Sequence, residues 1–119
     1  MARLRVATIG AGYFSQFHHE AWAGMDNVDL VAVCDRDADK ARGFAERWAI
    51  PAVYTDAGEM LQAEKPDLLD IIAPPVSHLA LIRLAAERGV PAAICQKPFC
   101  RSLAEAEEAT RIAEQAGLR

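Results

Sequence analysis

Val6-Ala7-Thr8-Ile9-Gly10-Ala11-Gly12-Tyr13-Phe14-Ser15 is the stretch from which the rest of the chain can be read. A short apolar run stops at a glycine, and the pattern G-x-G-x-x-S follows. Gly10 permits a tight turn. Gly12 has no Cβ, so backbone there can approach a pyrophosphate closely. A helix opening just afterwards would offer that anion its unpaired N–H groups and the positive end of its dipole. The third position needs only a small side chain for helix–strand packing, and Ser15 is small, although it departs from the strict fingerprint. Glycines also mark ordinary turns, so the motif gains its weight from context.

The context is an alternation that continues to the end of the chain. Apolar runs at Leu4–Ile9, Val28–Cys34, Leu68–Ile72 and Val90–Cys95, with a weaker one at Ala52–Tyr54, read as strands buried on both faces. Between them lie amphipathic stretches. Ala38, Ala41, Phe44, Ala45 and Trp48 share one helical face. Asp56 with Glu59, and Ser77 ahead of a helix to Arg88, are expected N-caps, and Ser102 with Glu105 reads as a capping box. The last helix is expected to turn Ala106, Ala109, Ile112, Ala113 and Ala116 inward and to stop at Gly117. Strand and helix alternating five times point to the α/β class, a doubly wound parallel sheet with flanking helices.

Composition agrees with one such domain. The 119 residues are 52% hydrophobic and 25% charged, ordinary globular values that exclude disorder. The net charge is −4 and the thirteen Lys and Arg are scattered, which argues against nucleic acid or a membrane surface as partner. No apolar run is long enough to span a bilayer, and the first residues do not read as a signal peptide, so the cytoplasm is the expected compartment. Cys34, Cys95 and Cys100 form no Cys-x-x-Cys pair. They read as reduced, small hydrophobes, with no metal site.

Asp35 ends the second strand, 25 residues beyond Gly10. Its carboxylate can accept hydrogen bonds from adenosine ribose hydroxyls and would repel a 2′-phosphate, which favours NAD over NADP. The adjoining Arg36 could tolerate that phosphate or stack on adenine, which leaves NADP possible. Asp35 or Asp37 could instead simply cap the next helix, and both roles can coexist. Ala73-Pro74-Pro75-Val76-Ser77-His78 follows the fourth strand and Gln96-Lys97-Pro98-Phe99 the fifth, at the edge where parallel sheets bind ligands. Read from residues alone, His78 is a hydrogen bonder at a helix start. Lys97 is either solvated or a contact to substrate oxygen or the nicotinamide amide.

The glycine turn, the Cys34-Asp35-Arg36-Asp37 strand end, Ala73-Pro74-Pro75-x-x-His78 and Lys97-Pro98 together resemble the N-terminal half of the Gfo/Idh/MocA oxidoreductases. The likeness runs along essentially the whole chain. It implies a Rossmann-type NAD(P)-binding domain, residues 1–119, of a dehydrogenase acting on sugars, cyclitols or related polyols. By this resemblance Gly10, Gly12, Tyr13 and Phe14 cradle the pyrophosphate, and Asp35 and Arg36 meet the ribose. Ala73, Pro74, Pro75 and His78 line the cofactor cleft, with Gln96 beside it. Lys97 lies where nicotinamide meets substrate and is the catalytic candidate. In such enzymes the Lys97–Pro98 bond can be cis. Two departures stand out. Gln96 replaces the usual glutamate of Glu-Lys-Pro. The family's sixth strand and second domain, with the acid–base residues and the sheet expected to form a homo-oligomer, have no counterpart here. The chain thus reads as a fragment of a two-domain enzyme. The alternatives are a stand-alone dinucleotide-binding module or pseudoenzyme, and a methyltransferase-like site, which also uses a glycine turn and an acid but needs no Lys-Pro.

Overall fold

Five strands, β1 (Leu4–Ile9), β2 (Val28–Cys34), β3 (Ala52–Tyr54), β4 (Leu68–Ile71) and β5 (Ala92–Cys95), form one parallel sheet in the order β3-β2-β1-β4-β5. The computed structural model describes residues 3–119. Five helices connect and follow the strands: α1 (Ser15–Ala23), α2 (Ala38–Trp48), α3 (Ala57–Glu64), α4 (His78–Glu87) and α5 (Leu103–Ala116). None is long and apolar enough to cross a membrane among the described residues.

The faces of the sheet follow from the period-2 alternation of its side chains. On β2, Ala32 and Cys34 join Met60 and Leu61 of α3, Ile82 and Ala85 of α4, and Ala109 of α5 in the main core. Val33 points the other way, onto Ala41 and Ala45 of α2. On β1 and β4, Ala7, Ile9, Leu69 and Ile71 enter the main core. Thr8 and Asp70, paired in register, face the α1 side. Helices α1 and α2 meet there through an edge-on contact of His19 with Phe44, ring centroids 4.9 Å apart. Ile94 is the register partner of Asp70 on β5 and faces the same way, and there it stays 43% exposed. The α1 side therefore covers the sheet only as far as β4.

The chain winds outward from β1 to β3, then returns past β1 to start β4. The crevice where the direction reverses lies at the carboxyl ends of β1 and β4, between their two following loops. Hydrogen bonds extend the ladder one residue past the strands at this edge. The N–H groups of Gly10, Asp35, Ile72 and Gln96 donate to Cys34, Tyr54, Ile9 and Ile71 respectively.

Candidate functional site

Gly10 decides the shape of the crevice. Its φ is +113°, and a Cβ there would overlap the carbonyl oxygen of Ile72. Only glycine lets the turn after β1 lie directly against the segment after β4. Gly12 differs. A Cβ there would meet no protein atom within 4 Å, so what its absence leaves clear is open space. A diphosphate resting on the backbone needs that clearance, so these residues fit the cofactor. Helix α1 begins immediately after, with no side-chain cap and no acid in its first turn. By contrast Asp37, Asp56 and Ser102 cap α2, α3 and α5. Ser15 is buried at the helix–strand contact, as its small size suggested. The rings of Tyr13, Phe14 and Phe17 stand exposed beside the turn and pack against one another, centroids 5.6–6.3 Å apart.

Asp35 joins this turn to the next strand. One carboxylate oxygen accepts the Ala11 N–H at 2.8 Å and the other the Asp37 N–H at 2.8 Å. The capping role falls to Asp37, whose carboxylate accepts from Asp39 and Lys40. Asp35 therefore does not cap α2. Arg36 is exposed alongside. Cys34, behind Asp35, has its thiol pushed up to about 11 by burial and by the nearby Asp35 and Asp56 carboxylates, so it stays protonated. All three cysteines are free thiols.

On the opposite wall, Ala73 is half-buried, Pro74 is exposed, and a 3-10 turn at Pro75–Ser77 runs into α4. Ser77 makes no capping hydrogen bond with its side chain, contrary to expectation. The N–H of Ser77 instead closes the turn onto Pro74. His78 is fully buried. Its Nε2 lies 2.6 Å from the Ala73 carbonyl and its Nδ1 2.8 Å from the Phe99 carbonyl. The resemblance put His78 on the cleft lining, whereas the side chain is enclosed and ties the loops after β4 and β5 together. That is the hydrogen-bonding part expected from the residues alone. Gln96 and Lys97 follow β5, with Lys97 exposed and the Lys97–Pro98 peptide cis.

The sequence reading passed over the group behind these loops. Asp70 is fully buried in β4. Its Oδ2 accepts from Trp22 Nε1 at 2.8 Å and lies 2.8 Å from His18 Nδ1. His18 Nε2 in turn lies 3.2 Å from Gln96 Nε2. A charged residue inside the apolar run Leu68–Ile72 was the available signal, because buried carboxylates require partners. Neighbouring His19 is held by the Ser15 carbonyl at 2.6 Å and the Thr8 hydroxyl at 2.8 Å. Burial keeps its imidazole below the ordinary range.

Comparison with known proteins agrees with this geometry. Residues 4–119 match the model of the Gfo/Idh/MocA group, described as an oxidoreductase family with an NAD-binding Rossmann fold. The chain is 43% identical to the D-apiose dehydrogenase of Paraburkholderia graminis over 116 residues, 98% of this chain and 31% of that protein. It is 33% identical to the D-glucoside 3-dehydrogenase of Escherichia coli over 96% of its own length and 32% of the relative's. A crystal structure of an oxidoreductase from Agrobacterium radiobacter, in complex with NAD+, L-tartaric acid and magnesium, superimposes with a TM-score of 0.93. It is 35% identical over 98% of this chain and 34% of that one. The chain thus spans about a third of the length of the relatives it matches.

Proposed function

The chain belongs to the Gfo/Idh/MocA oxidoreductases as their NAD-binding Rossmann domain, and from that premise we propose that it forms the cofactor-binding part of a dehydrogenase that prefers NAD to NADP. The substrate class we propose is a sugar, cyclitol or related polyol oxidised at a secondary alcohol. The observation that carries the cofactor reading is the Asp35 carboxylate locked onto Ala11 N–H across the glycine turn. It fixes an anionic acceptor beside the clearance above Gly12.

In this reading the backbone of Gly10, Gly12, Tyr13 and Phe14, with the uncapped start of α1, holds the diphosphate. Asp35 would accept from the adenosine ribose and disfavour a 2′-phosphate by charge repulsion, and the exposed Arg36 beside it would meet the adenine side. Ala73, Pro74 and Pro75 give the cleft a stiff apolar wall. His78 acts on that wall from behind, by fixing the loops. When bound, the nicotinamide supplies the hydride acceptor. Lys97 has no carboxylate partner among the described residues. Its ammonium is therefore free to hydrogen-bond the substrate oxygen. The base that takes the hydroxyl proton belongs to the second domain of the parent enzyme.

Titration with NADH and NADPH tests the cofactor reading. NADH binds more tightly than NADPH, and Asp35→Ala weakens NADH binding about tenfold or more, the scale of a lost charge-assisted hydrogen bond. Wild-type affinity in Asp35→Ala removes Asp35 from the site.

A further inference from the structure

The side chains behind the Lys97 loop have a fixed sense of hydrogen bonding. The backbone N–H of Lys97 lies 2.9 Å from Gln96 Oε1. A backbone N–H can only donate, so that atom is the amide's oxygen, and the NH2 end faces His18. An amide NH2 can only donate, so His18 Nε2 must accept and carry no proton. The ring proton then sits on Nδ1 and is donated to Asp70 Oδ2 at 2.8 Å. Trp22 Nε1 holds the same oxygen from the next turn of α1. The other oxygen of Asp70 is buried without a partner. An apolar residue would hold α1 to the sheet at lower cost. What the carboxylate adds is the selection of one tautomer of His18.

We propose that His18 is a positioning residue for Lys97: fixed by Asp70 with Nε2 bare, it orients the Gln96 amide so that its carbonyl holds the Lys97 backbone N–H. The relay Asp70–His18–Gln96–Lys97 joins the helix that follows the glycine turn to the loop that presents the lysine. It also accounts for glutamine at position 96. A carboxylate offers no donor to a bare Nε2, so glutamate there would demand a second proton on His18. Gln96 matches a neutral ring.

The inference rests on the proposed role of Lys97 beside the nicotinamide, but its test needs no cofactor. Long-range 1H–15N correlation on the labelled chain reads each ring nitrogen directly, with His18→Ala identifying the His18 signals. At neutral pH His18 carries a single proton on Nδ1, and in Gln96→Glu it carries two. In His18→Ala and in Gln96→Met the Lys97 amide exchanges with solvent roughly five- to tenfold faster, as loss of one hydrogen bond requires. The double variant exchanges no faster than Gln96→Met alone. A proton on Nε2 in the wild-type chain overturns the proposal, even if a variant fails to fold. Unchanged Lys97 exchange in a folded His18→Ala overturns it as well. Failure of the wild-type chain to bind NADH would count against the cofactor reading and leave the relay standing.

Discussion

Gly10 and His19 show how single residues set the terms of this fold. Gly10→Ala puts a methyl group onto the Ile72 carbonyl at a φ of +113°. The backbone strain alone is of order 1–3 kcal/mol. Urea unfolding is therefore expected to show a loss of at least about 2 kcal/mol. His19 makes stability depend on pH. Burial, partly offset by the Ser15 carbonyl and Asp70, lowers its affinity for a proton in the folded chain. The unfolded chain takes up that proton near the ordinary imidazole value of 6.5 and the folded chain does not. The unfolded state thus binds more protons, and stability falls as pH drops through that value. Urea midpoints are expected to decline from about pH 7.5 to about pH 5.5, and His19→Phe flattens the slope. At this scale the motif residues were legible because backbone geometry restricts their identity. His18, His19 and Trp22 were not, because their partners Thr8, Asp70 and Gln96 are distant in sequence and meet only through the sheet.

Local chemistry decided most of the elements. The strands at Leu4–Ile9, Val28–Cys34 and Ala52–Tyr54 and the helix at Ala38–Trp48 have the bounds their apolar patterns implied. The fifth strand begins at Ala92 rather than Val90 because the Val90 N–H is spent closing α4 onto Ala85. Pro91 then has no N–H to give the ladder. The capping box at α5 is half formed. Ser102 Oγ accepts from the Glu105 N–H, but the Glu105 carboxylate turns to the Arg101 backbone and guanidinium. Ala116, expected inward, is exposed, while Ala109 is fully buried in the main core. The caps make a contrast that can be measured. Asp37→Ala and Ser102→Ala should each cost about 1 kcal/mol. Ser77→Ala, with no capping bond to lose, stays within about 0.5 kcal/mol. Thermal or urea unfolding of the three variants separates them.

At the scale of the whole molecule, topology concentrates the chemistry. Winding out from β1 and back to β4 brings the glycine turn, the Asp35 strand end, the proline loop and the Lys-Pro loop to one edge of the sheet. The alternation of strands and helices made that convergence legible, because right-handed crossovers leave few other arrangements. The uncovered stretch beside β5 was not legible, since Ile94 lies in an apolar run like any buried strand residue. Along β5 the Arg119 backbone exchanges hydrogen bonds with Pro91 and Ala93 in the parallel-ladder pattern.

The central claim is that the bend at Gly10–Gly12 and the carboxylate of Asp35 form one dinucleotide site. Titrating NAD+ into the 15N-labelled chain while following every backbone amide tests it most directly. Saturable shifts are expected at residues 10–15 and 35–37 and along the loops at 73–76 and 96–97. Shifts confined to another surface, or a spectrum unchanged at saturating NAD+, would contradict it.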